Sequence, residues 1–171
     1  SFLHLYAAPA GTPALGFVPY AQRLSSEEFA EAPYSYDVQE TFYDSSSVVT
    51  AGYGSRWVSI EGSVFHDAVT TGRHSDIPDG DIDSRSARLT IMPTRNLSLQ
   101  VSRGELGDEE REVDSASISL ANERASVSAI YTNRTSRLGE ELAAGTFETT
   151  FRVGRGTFMA RAESVDRPSG F

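Results

Sequence analysis

The residues best suited to chemistry lie in two acidic stretches. HSDIPDGDID offers Asp76, Asp79, Asp81 and Asp83, carboxylate oxygens of the kind calcium prefers. With Gly80 as the turn glycine of a calcium loop, Asp79 fits, but Ile77 and Ser75 occupy the two preceding ligand positions. Ser86 stands where the bidentate Glu belongs, so the pattern fails and a solvated acidic loop is the better reading. Glu105, Asp108, Glu109, Glu110, Glu112 and Asp114 form a second such loop, which divalent ions would bridge at a lipopolysaccharide surface. His4, His66 and His74 are scattered without the close pairing of zinc or copper ligands. Serine is abundant, yet no G-x-S-x-G elbow occurs. Glu148 and Glu163 resemble a glycosidase carboxylate pair, but Arg152 and Arg161 beside them favour a charge network. There is no glycine-rich phosphate loop and no Cys to supply a thiolate. The expectation is a protein without catalysis, metal or cofactor.

The elements that position these residues are strands. From Ser45 to His66 two runs flank a turn at Gly54-Ser55, and Val58, Ile60, Gly62 and Val64 alternate with Ser59, Glu61 and Ser63. A side-chain period of two with one apolar row and one polar row marks a strand that is dry on one side and wet on the other. The figure returns in SARLTIM (86–92) with LSLQVSR (97–103), SASISLA (115–121) with ASVSAIY (125–131), and TFETTFRVG (146–154) with TFMARAES (157–164). Turns are expected at 93–95, at Asn122-Glu123 and at Arg155-Gly156, and long loops at 68–83, 105–114 and 133–144. Residues 1–8 read as a further strand. Proline and glycine then make 9–44 a long ordered loop, with a short helical turn over 23–32 capped by Ser25 or Ser26.

Tight turns alternating with long loops place all turns at one end, as in bacterial outer-membrane barrels. The expected fold is therefore all-β, an antiparallel up-and-down transmembrane β-barrel. Residues 1–171 form a single barrel domain or a fragment of a larger one, with about eight or nine strands and four hairpins over 45–166. Which row faces inward decides the matter. The apolar rows are short and often small (Ala87, Gly62, Ala116, Ala129, Ala160), whereas the polar rows carry charges able to pair across strands. In that orientation Glu61, Arg88, Gln100, Glu148, Arg152, Arg161 and Glu163 line the lumen, with Arg88 opposite Gln100 and Arg161 diagonal to Glu148. Ala116, Ile118 and Leu120 would pair with Ala129, Val127 and Ala125. Tyr53, Trp57 and Phe158 near the turns, and Phe65, Tyr131 and Phe147 near the loops, would form two aromatic belts. Trp57 falls on the polar row unless a bulge shifts the phase.

Composition narrows the partners. An apolar content of 39% is that of a folded chain, and no run approaches the length of a membrane helix. A net charge of -9 argues against nonspecific nucleic-acid binding, which depends on basic residues to neutralise phosphates. No basic segment followed by an apolar core opens the chain, so the expectation is that any export signal has been removed or lies upstream. Phe171 is not read as a terminal barrel signal, because Pro168 and the residues around it break the strand.

Pro13-Ala14-Leu15-Gly16, Arg23, Glu31-Ala32-Pro33, VVTAGY (48–53), EGSVF (61–65), DSRSARL (83–89), NLSLQVSRG (96–104) and RAESVD (161–166) resemble an uncharacterised family of exported proteobacterial proteins. That family is one of porin-like outer-membrane β-barrels. The resemblance covers most of 9–166 in patches of strand and turn sequence, so it implies fold and location but no catalytic or binding residues. It also implies that the chain is part of a longer barrel. The resulting expectation is a passive channel or structural barrel in the bacterial outer membrane. Its partners would be membrane lipid and lipopolysaccharide, with protein partners meeting the 9–44 loop. A soluble β-barrel or sandwich binding a small ligand or glycan, and a barrel subunit of a larger assembly, are the alternatives.

Overall fold

The computed structural model describes residues 1–18, 22–39, 45–67, 80–107, 111–136 and 139–166. Alternation of apolar and polar residues gives nine strands: β1 (Phe2–Gly11), β2 (Ser45–Gly54), β3 (Val58–His66), β4 (Ser84–Thr94), β5 (Leu97–Leu106), β6 (Arg111–Ala121), β7 (Ala125–Thr135), β8 (Glu141–Val153) and β9 (Gly156–Asp166). They form one antiparallel sheet in strictly sequential order, and it does not close on itself. With nine strands alternating in direction, the two edge strands β1 and β9 run the same way. Among the described residues the only helix is the single turn α1 (Tyr36–Gln39).

The two faces of the sheet differ in kind. Leu3, Leu5, Ile60, Val101, Ile118 and Phe147 share one face and stand exposed, Leu3 at 81% and Leu5 at 74%. Val58 at 43% belongs to the same face, as do the half-buried Leu89, Leu99 and Val127, so these residues do not enclose a packed interior. The opposite face buries Thr50, Ser63, Ser102, Ser128, Thr146 and Glu148. Residues of the 12–39 segment cover this polar face and form a strap across it. Leu15 of the strap shares one apolar cluster with Val48, Phe65, Leu106 and Val113 from β2, β3, β5 and β6. Arg111 on β6 reaches Asp67, just past β3, at 2.9 Å across two intervening strands.

Several expectations change in detail. β1 continues through Pro9 to Gly11, because Pro9 lies in an edge strand. The opposing Ser47 takes φ 51°, at the bulge where the β2–β3 register shifts. No helix forms within 23–32; two reverse turns, closed by Ser26 onto Arg23 and Phe29 onto Ser26, stand there instead. The expected long loops at 105–114 and 133–144 are largely strand, since β5 and β6 pair out to Leu106–Arg111 and β7 and β8 out to Thr135–Glu141. Charged cross-strand pairs such as Arg103 with Asp114 hold those strand ends together. Phe65 is wholly buried in the Leu15 cluster and joins no exterior belt, whereas Tyr131 and Phe147 are exposed. Trp57 precedes β3, so it belongs to the turn and not to either row.

Registers also differ from the simple turn assignments. Arg88 faces Ser102, Gln100 faces Thr90, and Arg161 lies directly opposite Glu148. Leu120 pairs with Val127 and Ile118 with Ala129, because the turn between β6 and β7 spans Asn122–Ala125. The last hairpin turns at Gly154-Arg155, with Gly154 at φ 62° and open space where a β-carbon would sit. Glycine at the first position of a two-residue turn is the type II′ choice. Gly154→Val should therefore cost about 1–2 kcal/mol through the backbone alone. Denaturant unfolding of the two proteins side by side checks this.

Candidate functional site

The strongest constellation on the polar face is built by β8, β9 and the strap. Glu148 points inward from β8 and has no exposed surface. Arg23 of the strap grips it with both ends of its guanidinium, Nε to Oε2 at 3.0 Å and Nη2 to Oε1 at 3.2 Å. Arg161, directly opposite on β9, donates from Nε to Oε1 at 3.0 Å. Ser25 donates a hydrogen bond to Ser128 (2.9 Å) and reaches Glu148 Oε2 at 3.2 Å. Two arginines share the one carboxylate, and each also meets the strap. Arg23 donates to the Val18 carbonyl and lies over Phe17, and Arg161 donates to the Glu31 carbonyl and lies over Phe29.

The strap is fixed along its whole described length by the serines and threonines of the polar row. The Ala14 and Gly16 amides donate to Ser63 and Ser102. Ser126 and Thr150 donate to the carbonyls of Leu24 and Ser25. The Ser35 amide donates to Glu163 at 2.8 Å, and Gln39 exchanges bonds with Thr146 and the Ala144 carbonyl. Leu15 lies against Gly104, where an added methyl would sit 2.7 Å from its side chain. Backbone groups of an irregular segment thus find partners that a bare apolar face could not offer.

All seven sequence-predicted lumen residues lie on this strap-facing side of the sheet. The structure brings Glu148, Arg161 and Glu163 together around the strap, and Arg152 pairs with Glu27 at 2.9 Å. Glu61 and Arg88 form a separate pair at 2.9 Å, approached by His4 at 3.3 Å, and Gln100 donates to Thr90. Arg23 and Ser25 are the members that sequence reasoning missed as partners of Glu148. Arg23 is the one basic residue in 9–44, which was the available signal.

The acidic stretches do not assemble a metal site among the described residues. Asp76, Asp79, Asp108, Glu109, Glu110 and His74 lie outside those residues, as does Phe171. His66 meets Asp83 at 2.9 Å. Burial pushes the Asp83 carboxyl up, but hydrogen bonds from Ser84, the Asp67 amide and His66 outweigh it and hold the group below its ordinary range. Glu105 and Glu112 are paired with Arg85 and Arg103. No family model, curated protein or solved structure matches the chain.

Proposed function

We propose that this chain forms part of the wall of a transmembrane β-barrel in a bacterial outer membrane, a structural or porin-like passive barrel whose inner face is packed by its own strap. The observation that carries the reading is the inversion of the usual distribution. Leucine, isoleucine, valine and phenylalanine stand exposed on one face, while serine, threonine, glutamate and arginine are buried under the strap on the other. A water-soluble sheet protein gains its stability by burying the first set, and a contiguous exposed apolar face of this kind calls for a nonaqueous neighbour. Strand lengths of nine to thirteen residues suit tilted strands that cross a bilayer.

The slant of the apolar band adds support. Its middle lies at Leu89 on β4 and at Ala160 on β9. The hydrogen-bonded rung through Ala160 passes Thr149, Val127, Leu120 and Leu97 and meets β4 at Thr94, five residues from Leu89. One of those five is the extra residue of the β4–β5 bulge, so the drift is about four residues over five strands, which at a rise of ~3.3 Å and a spacing of ~4.8 Å is a tilt of roughly 30°. Membrane barrels tilt their strands by a comparable amount relative to the band that meets lipid. Inside a bilayer the free edges of β1 and β9 must be paired. Because they run parallel, antiparallel closure calls for an odd number of further strands between them. This agrees with the resemblance to longer porin-like barrels.

The test is fractionation. The protein should require detergent for extraction from membranes and should migrate faster on a gel unheated than heated. Monodisperse behaviour in buffer without detergent would overturn the membrane assignment and favour a soluble ligand-binding sheet.

A further inference from the structure

Each of the four tight turns of the sheet carries an arginine: Arg56 between β2 and β3, Arg95 between β4 and β5, Arg124 between β6 and β7, and Arg155 between β8 and β9. Sequential antiparallel order puts all four on one rim. All are exposed, and none forms an ion pair with a described residue. Glu123 is the one acid in the same turns. At the opposite end the arrangement reverses: Arg85 is paired with Glu105, Arg103 with Glu112 and Asp114, and Arg111 with Asp67. Among the described residues, exposed arginine without an ion pair is thus confined to the turn rim, since Arg134 near the other end is buried. Exposed aromatics share that rim. Trp57 lies under the Arg56 guanidinium at 4.4 Å, and Tyr53 near the end of β2 and Phe158 near the start of β9 stand towards the same rim at 57% and 66% exposure.

Resting on the membrane reading above, we infer that the turn rim is a binding surface for anionic phospholipid headgroups and sets the side of the bilayer on which the turns lie. Arginine recognises phosphate through parallel N–H donors, and a guanidinium backed by an aromatic ring sits at headgroup depth. An anionic leaflet attracts each such residue by an amount that, over four, makes a clear preference. The acidic opposite end has no comparable attraction for a bare phosphate surface.

Trp57 is the single tryptophan of the chain, so it reports on its own rim. The whole chain is reconstituted in phosphatidylcholine vesicles containing, at equal mole fraction, either brominated phosphatidylcholine or brominated phosphatidylglycerol, and Trp57 quenching gives the relative affinity for the two headgroups. A preference for phosphatidylglycerol of roughly threefold or more is expected, decaying in high salt. It should fall to near unity in the variant Arg56→Gln/Arg95→Gln/Arg124→Gln/Arg155→Gln. Salt dependence in the unaltered chain keeps the test valid should the variant fail to fold. Equal quenching by both lipids overturns the rim assignment and leaves the membrane reading standing. Absence of quenching by either lipid overturns the membrane reading and the rim assignment together.

Discussion

Glu148→Ala is expected to free the strap. The substitution leaves Arg23 and Arg161, almost fully buried, facing each other without the carboxylate that both grip. Removing one partner from a buried ionic cluster typically costs about 3–5 kcal/mol, because the charges left behind have lost both water and counter-charge. The cost should be relieved locally, by release of the strap and not by loss of the sheet, since the sheet's ladders are continuous on both sides of β8. Trypsin reads this directly. Arg23 is the one tryptic site within 9–44 and only 4% exposed, so the parent should resist cleavage there while the variant is cut. Glu148→Gln keeps the shape but loses the charge and turns one acceptor oxygen into an NH2 donor, and should fall between them. Equal resistance at Arg23 in parent and Glu148→Ala would show that the serine and threonine bonds alone hold the strap.

How the strap came to be hidden in the sequence follows from what alternation encodes. The rows Val58-Ile60-Val64 and Ser59-Glu61-Ser63 disclose which side chains share a face, and the four hairpins of 45–166 could be counted from them. Register depends instead on turn length, and the expected turns at Asn122-Glu123 and Arg155-Gly156 were each displaced from the observed ones. The resulting pairings slip by two residues, as Leu120 meeting Val127 instead of Ala125 shows. A slip of two preserves the face and changes only the partner, whereas a slip of one would have reversed every assignment. That is why all seven inward residues lay on one side even though Arg88 met Ser102 and not Gln100. The strap has no period to read. Arg23 and Glu148 are 125 residues apart, and only the sheet's topology brings them together.

Ile118→Arg tests what the exposed face is for, with the second large effect. Ile118 lies on the apolar face in the middle of the sheet, paired with Leu99 on one side and Ala129 on the other, and is 45% exposed. On the surface of a water-facing protein such a change stays within about 0.5 kcal/mol, since the side chain gains hydration and breaks no contact. Facing lipid, the same guanidinium must be carried into hydrocarbon, at about 2–4 kcal/mol near the midplane of a membrane barrel. Equilibrium folding into lipid vesicles, followed by heat-modifiable mobility across a urea series, should show the larger loss for Ile118→Arg. Arg103→Ala, at the charged border of the same face, should lose far less, because its exposed partners Glu112 and Asp114 remain hydrated. A depth dependence of that kind has no source in water. Equal, small effects at both positions would place this face in solvent and return the apolar band to some other partner.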